Sequence, residues 1–111
     1  MNQQTFTTGL LEYLDTAPTP FHAVSAGRAL LDAAGFSALD ERDAWQLESG
    51  GRYYVTRNGS ALIAFVLGDA PLVDAGLRLI GAHTDSPCLK LKPRPELKAQ
   101  GYWQLGIEVY G

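Results

Sequence analysis

Residues 53–66 read YYVTRNGSALIAFV, and this stretch decides the fold class. Two runs rich in aromatic and β-branched residues, Tyr53-Tyr54-Val55-Thr56-Arg57 and Ser60-Ala61-Leu62-Ile63-Ala64-Phe65-Val66, flank Asn58-Gly59. A tight type I′ turn needs positive φ at both central residues, and Asn-Gly meets that demand with the least strain. The pattern predicts a β-hairpin and excludes an all-α fold.

Upstream of the hairpin the periodicity changes to helical. Phe6, Leu10, Leu11, Tyr13 and Leu14 recur at spacings of 3, 4 and 7, which predicts an amphipathic helix ending near Asp15. Pro18 and Pro20 stop it, because they cannot continue a helix and force their predecessors into extended geometry. A second helix is better marked: Thr19 is placed as N-cap, Pro20 as first helical residue and Gly35 as terminator, with Phe21, Val24, Leu31 and Ala34 as its apolar stripe. These two helices exclude an all-β fold.

Downstream, Leu77-Arg78-Leu79-Ile80-Gly81-Ala82 has the apolar density of a mostly buried strand. Cys88-Leu89-Lys90-Leu91-Lys92 alternates apolar and basic residues and is expected to stop at Pro93 and Pro95. Residues 102–110 (YWQLGIEVY) have strand character and run into the last residue, which reads as a cut end. The expected architecture is α/β: two N-terminal helices, a β-hairpin and further strands in a single domain.

Composition narrows the function classes. The 111 residues are 46% hydrophobic and 19% charged, a globular balance. A net charge of −3 leaves no basic excess for phosphates, so no nucleic-acid partner is expected. No run approaches the ~20 apolar residues of a membrane span, and the N-terminus lacks the three parts of a secretory signal. The lone cysteine, Cys88, forbids an intrachain disulfide and suits a reducing, cytoplasmic setting.

The pattern with chemical content is Gly81-Ala82-His83-Thr84-Asp85-Ser86-Pro87. In extended chain, residues two apart share a face, so His83 and Asp85 point the same way. The expected strand before them would present them at its carboxyl end, where open α/β sheets place ligands. An imidazole beside a carboxylate is a common metal-ligand arrangement, the carboxylate fixing the ring and its tautomer. Taken alone, H-x-D is a weak signal, because most such pairs are structural hydrogen bonds.

The surrounding blocks add specificity. Pro18-Thr19-Pro20-Phe21-His22-Ala23-Val24, then Tyr53-Tyr54-Val55-Thr56-Arg57-Asn58, then Gly81 to Pro87 continuing through Cys88-Leu89-Lys90-Leu91-Lys92-Pro93, then Gly101-Tyr102-Trp103 with Val109-Tyr110-Gly111, together resemble the aspartyl aminopeptidase family in order along nearly the whole chain. The resemblance implies a mixed-sheet, helix-flanked catalytic domain with a second, inserted domain. It implies a cocatalytic two-zinc site, peptide substrates with acidic N-terminal residues, and a large homo-oligomer. It places His83 as the first metal ligand and Asp85 as the catalytic-site carboxylate bracing it. The remaining ligands of such a site lie later in the family's chain, so residues 1–111 are expected to be an N-terminal, truncated part of the catalytic domain and inactive alone.

Other candidates have plainer readings. His22 reads as a helix-start histidine bonded to nearby backbone, Cys88 as a small packing residue, and Lys90, Lys92, Arg94 and Lys98 as a solvated strand face rather than a wall for acidic substrates. Trp45 is expected to plug an edge of the core, and Tyr102, Trp103 and Tyr110 to lie in core or subunit interface. A hydrolase built on Ser86 lacks a Gly-x-Ser-x-Gly elbow. A non-catalytic assembly module of the same ancestry is the second reading.

Overall fold

A computed structural model describes residues 2–110, the side chain of residue 110 excepted. Helix α1 spans Gln3–Thr16, its first turn capped by the Asn2 side chain, which accepts from the Thr5 N–H at 2.8 Å. Helix α2 spans Pro20–Ala33 between the Thr19 cap and Gly35 at φ 78°, as the terminator residues require. The Tyr13 hydroxyl donates to the Ala23 carbonyl at 3.2 Å, fastening α1 onto α2.

A three-stranded sheet follows, in the order β1 (Ser37–Leu39), β2 (Arg52–Arg57), β3 (Ala61–Val66). Strand β1 is parallel to β2 and β3 antiparallel to it, so the sheet is mixed. Central position explains why Tyr53, Tyr54 and Val55 of β2 are consecutively buried; they form the core with Ala23 and Val24 of α2. On one face α2 comes close because Gly27 carries no side chain: a Cβ there would stand 3.3 Å from Leu62. The Tyr54 hydroxyl, inside this contact, donates to Asp32 Oδ1 at 2.8 Å. Elsewhere Tyr53 and Phe65 pair across the strands with ring centroids 5.6 Å apart, and Trp45 stacks on Phe65 at 6.3 Å. Trp45 is held by its indole N–H donating to the Asp40 carbonyl at 2.6 Å, but it is 38% exposed and so covers Phe65 from outside rather than plugging the core. The neighbouring Arg42 guanidinium bonds Asp40 and keeps that carboxyl well below the usual carboxylate range.

The hairpin forms at the expected residues. Asn58 (φ 53°) and Gly59 (φ 66°) are both left-handed, and the Ser60 N–H donates to the Arg57 carbonyl at 3.2 Å. Arg57 pairs with Ala61, which leaves Ser60 outside the ladder as an extra residue rather than the start of β3. A Cβ at Gly59 would meet Phe21 at an ordinary 3.6 Å, so space is available and the backbone is the constraint. Gly59→Ala is therefore expected to lower stability by about 1 kcal/mol, from left-handed strain alone. Urea unfolding measures this; an unchanged midpoint would show that the turn does not hold the hairpin's register.

Past β3 the structure departs from expectation. A short helix, α3 (Leu72–Ala75), interrupts the loop. Residues 77–82 form no strand, and Leu77, Leu79 and Ile80 are 81%, 90% and 98% exposed. A strand is defined by a neighbouring ladder, and within the described residues no ladder is laid against this segment. Apolar density recorded what the segment would bury, without supplying the partner.

Strands β4 (Cys88–Ala99) and β5 (Tyr102–Tyr110) form a second, antiparallel sheet that stands out as a ribbon. The radius of gyration is 19.7 Å, against about 13 Å for a compact chain of this length. Contrary to expectation, β4 runs through its prolines. The register slips between Leu91, opposite Ile107, and Glu96, opposite Leu105, so residues 92–95 bulge across from Gly106. A bulge removes the ladder hydrogen bonds proline cannot make. Arg94 inside it has φ 58°. The ribbon's tip is a second tight turn, Gln100 (φ 52°) and Gly101 (φ 80°), closing Ala99 onto Tyr102.

Candidate metal centre

His83 and Asp85 come together, as the two-residue spacing predicts. They do so in irregular chain after residues 77–82, not at the end of a buried strand. His83 Nδ1 lies 2.6 Å from the Asp85 backbone carbonyl and 3.4 Å from Asp85 Oδ1. The carbonyl, not the carboxylate, is thus the closer partner of Nδ1. Both neighbours of Nδ1 are acceptors, so the neutral ring takes the tautomer with its proton on Nδ1 and its lone pair on Nε2. The His83 side chain is 76% exposed and that of Asp85 47%, so Nε2 is accessible.

This is the state in which a histidine binds a metal: tautomer set by a hydrogen bond at one nitrogen, the other free to coordinate. The pair fits one position of a zinc shell, with a carboxylate beside it. Among the described residues no group of three or more His, Cys, Asp and Glu converges around the pair. The adjoining residue, Thr84, points away from the pair: its hydroxyl donates to the Ser60 carbonyl at 2.8 Å. Nothing in the sequence pattern marked Thr84, apart from its alternation with His83 and Asp85.

The remaining candidates are dispersed. His22 meets the α2 cap twice: its Nδ1 lies 2.8 Å from the Thr19 hydroxyl oxygen, and its backbone N–H donates to the same oxygen at 3.4 Å. Cys88 is an exposed free thiol at the start of β4, not a packing residue, because nothing covers the base of the ribbon in these residues. Lys92, Arg94 and Lys98 are exposed, and the Lys98 ammonium sits 4.4 Å from the Trp103 ring centroid. Tyr102 and Trp103, expected in core or interface, are 71% and 70% exposed here, and the side chain of residue 110 lies outside the described residues. No helix among the described residues is long and apolar enough to cross a membrane.

Comparison with known proteins identifies the family of the chain. A relative from Stutzerimonas stutzeri (strain A1501), described as a probable M18 family aminopeptidase 2, is 65% identical over 103 residues, covering 93% of this chain and 24% of the relative. The structure of Chaetomium thermophilum mApe1 superposes with a TM-score of 0.84 at 38% identity, over 98% of this chain and 25% of that one. The S. cerevisiae mApe1 dodecamer gives a TM-score of 0.80 at 33% identity, over 99% and 26%. The chain thus spans about a quarter of the length of these proteins. Residues 13–111 match the family model described as aminopeptidase I zinc metalloprotease (M18), and the chain belongs to that family.

Proposed function

We propose that residues 1–111 are the N-terminal part of the catalytic domain of a zinc aminopeptidase that releases acidic residues, Asp or Glu, from peptide N-termini. The observation that carries this reading is the His83 imidazole, with Nδ1 hydrogen-bonded to Asp85 and Nε2 open. In the full-length protein His83 supplies one nitrogen to the zinc, and Asp85 holds the ring proton and orientation. Zinc, when bound, polarises the scissile carbonyl and lowers the pKa of its water to about 7. The resemblance to aspartyl aminopeptidases supports a two-zinc site and the acidic preference, with the further ligands supplied by chain beyond these residues. The dodecamer of the S. cerevisiae relative supports a homo-oligomer, and the lone cysteine suits a cytoplasmic enzyme.

The second reading, a non-catalytic assembly module, draws on the missing convergence of three ligands among the described residues. A substrate panel separates the two. Full-length protein is assayed on aminoacyl substrates beginning with Asp, Glu, Leu or Lys, before and after chelation and zinc restoration. The expected result is zinc-dependent release with kcat/KM on the order of 10-fold or more higher for Asp and Glu. Equal rates on all four would remove the acidic preference, and no hydrolysis at any zinc level would favour the module.

A further inference from the structure

We propose that Thr84 is a positioning residue for the metal centre, tying the His83 loop to the hairpin turn; this rests on the reading of His83 as a zinc ligand. The bond between His83 and Asp85 spans two residues. It orients the ring relative to its own loop and says nothing about where the loop stands. Residues 77–87 have no helix or strand, and their apolar side chains are exposed, so packing does little to place them. Among the described residues, the hydrogen bond that joins this segment to the rest of the chain is Thr84 Oγ1–H to the Ser60 carbonyl, 2.8 Å across a separation of 24 residues.

Its acceptor is well anchored. Ser60 is half-buried and held by its own N–H on the Arg57 carbonyl, in a turn whose two central residues are left-handed and sterically specified. The chain bends at Thr84, and its hydroxyl turns away from the His83–Asp85 contact onto the hairpin turn. The residue next to the ligand is therefore pinned to the most locally determined feature of the fold. A ligand held in place before metal arrives loses less freedom on binding, and that difference appears as affinity.

The test uses full-length protein: the zinc-loaded form gives the zinc dissociation constant by chelator competition, kcat, KM and the melting temperature, and the cobalt-substituted form gives the Co2+ absorption spectrum. Thr84→Val keeps the shape and removes the donor; Thr84→Ser keeps the donor. One exposed hydrogen bond corresponds to roughly 2- to 10-fold in affinity, so Thr84→Val should weaken zinc by that factor, perturb the Co2+ spectrum and lower kcat more than it raises KM. Thr84→Ser should restore all three. Wild-type zinc affinity in Thr84→Val overturns the proposal. Equal losses in Thr84→Val and Thr84→Ser also overturn it, since the hydroxyl would then not be the cause. His83→Ala run in parallel separates the underlying reading: if it keeps its zinc, His83 is not a ligand and the tether positions nothing.

Discussion

Replacing His83 with alanine in the full-length protein should lower zinc content and reduce peptidase activity by at least about 10-fold, with little change in melting temperature of the zinc-free form. The magnitude follows from the position of the residue: partners of metal ligands already cost about 10- to 100-fold when lost, and a ligand should cost no less. Folding should tolerate the change because the His83 side chain is 76% exposed and its hydrogen bonds stay within its own loop. Asp85→Ala is the instructive contrast. The closer acceptor for Nδ1 is the Asp85 backbone carbonyl, which alanine retains; only the carboxylate at 3.4 Å is lost. Its effect on zinc should be distinctly smaller than that of His83→Ala. Metal analysis of dialysed protein with parallel kinetics decides both. Full zinc and full rate in His83→Ala would remove the residue from the centre, and an Asp85→Ala protein as zinc-poor as His83→Ala would make the carboxylate the dominant brace.

What could be read from sequence divides by range. The Asn58-Gly59 turn and the Thr19, Pro20 and Gly35 boundaries of α2 are local requirements on φ and on unpaired N–H groups, and all are met where the residues stand. The closeness of His83 and Asp85 is likewise local, a consequence of two-residue spacing. Which oxygen of Asp85 takes the ring proton depends on torsions no spacing determines. Non-local features were illegible for a different reason. Strand β1 has three residues, too few for a period, and exists because it pairs in parallel with β2. The bond from Thr84 to Ser60 joins segments 24 residues apart. Pro93 and Pro95 suggested a strand end because proline breaks ladders, whereas the bulge opposite Gly106 lets the strand resume. Residues 77–82 show the opposite error: a strand's composition without a strand's neighbours.

A protein of these 111 residues alone should bind zinc weakly, hydrolyse no N-terminal acidic residue and elute above its 12.0 kDa monomer mass. The first two expectations are matters of ligand count. A catalytic zinc takes about three protein ligands plus an open position, and among the described residues no three candidate ligands converge. The third follows from surface. By register, Trp103, Leu105, Ile107 and Val109 of β5 share one face of the ribbon with Leu89 and Leu91 of β4. Their exposures run from 42% for Ile107 to 86% for Val109. Apolar patches beyond a few hundred Å² are uncommon on monomers and mark contact surfaces. A two-stranded ribbon is marginal in water without something against its apolar face, and in a solution of this chain the available cover is another copy, with free strand edges offering further pairing. Light scattering coupled to size exclusion reads the mass, and Leu105→Lys with Ile107→Lys should shift it toward monomer by charging the shared face. A stable 12.0 kDa species with an ordered ribbon would refute the surface argument. Turnover of an Asp-peptide by the short chain would refute the ligand count, and neither result bears on the other.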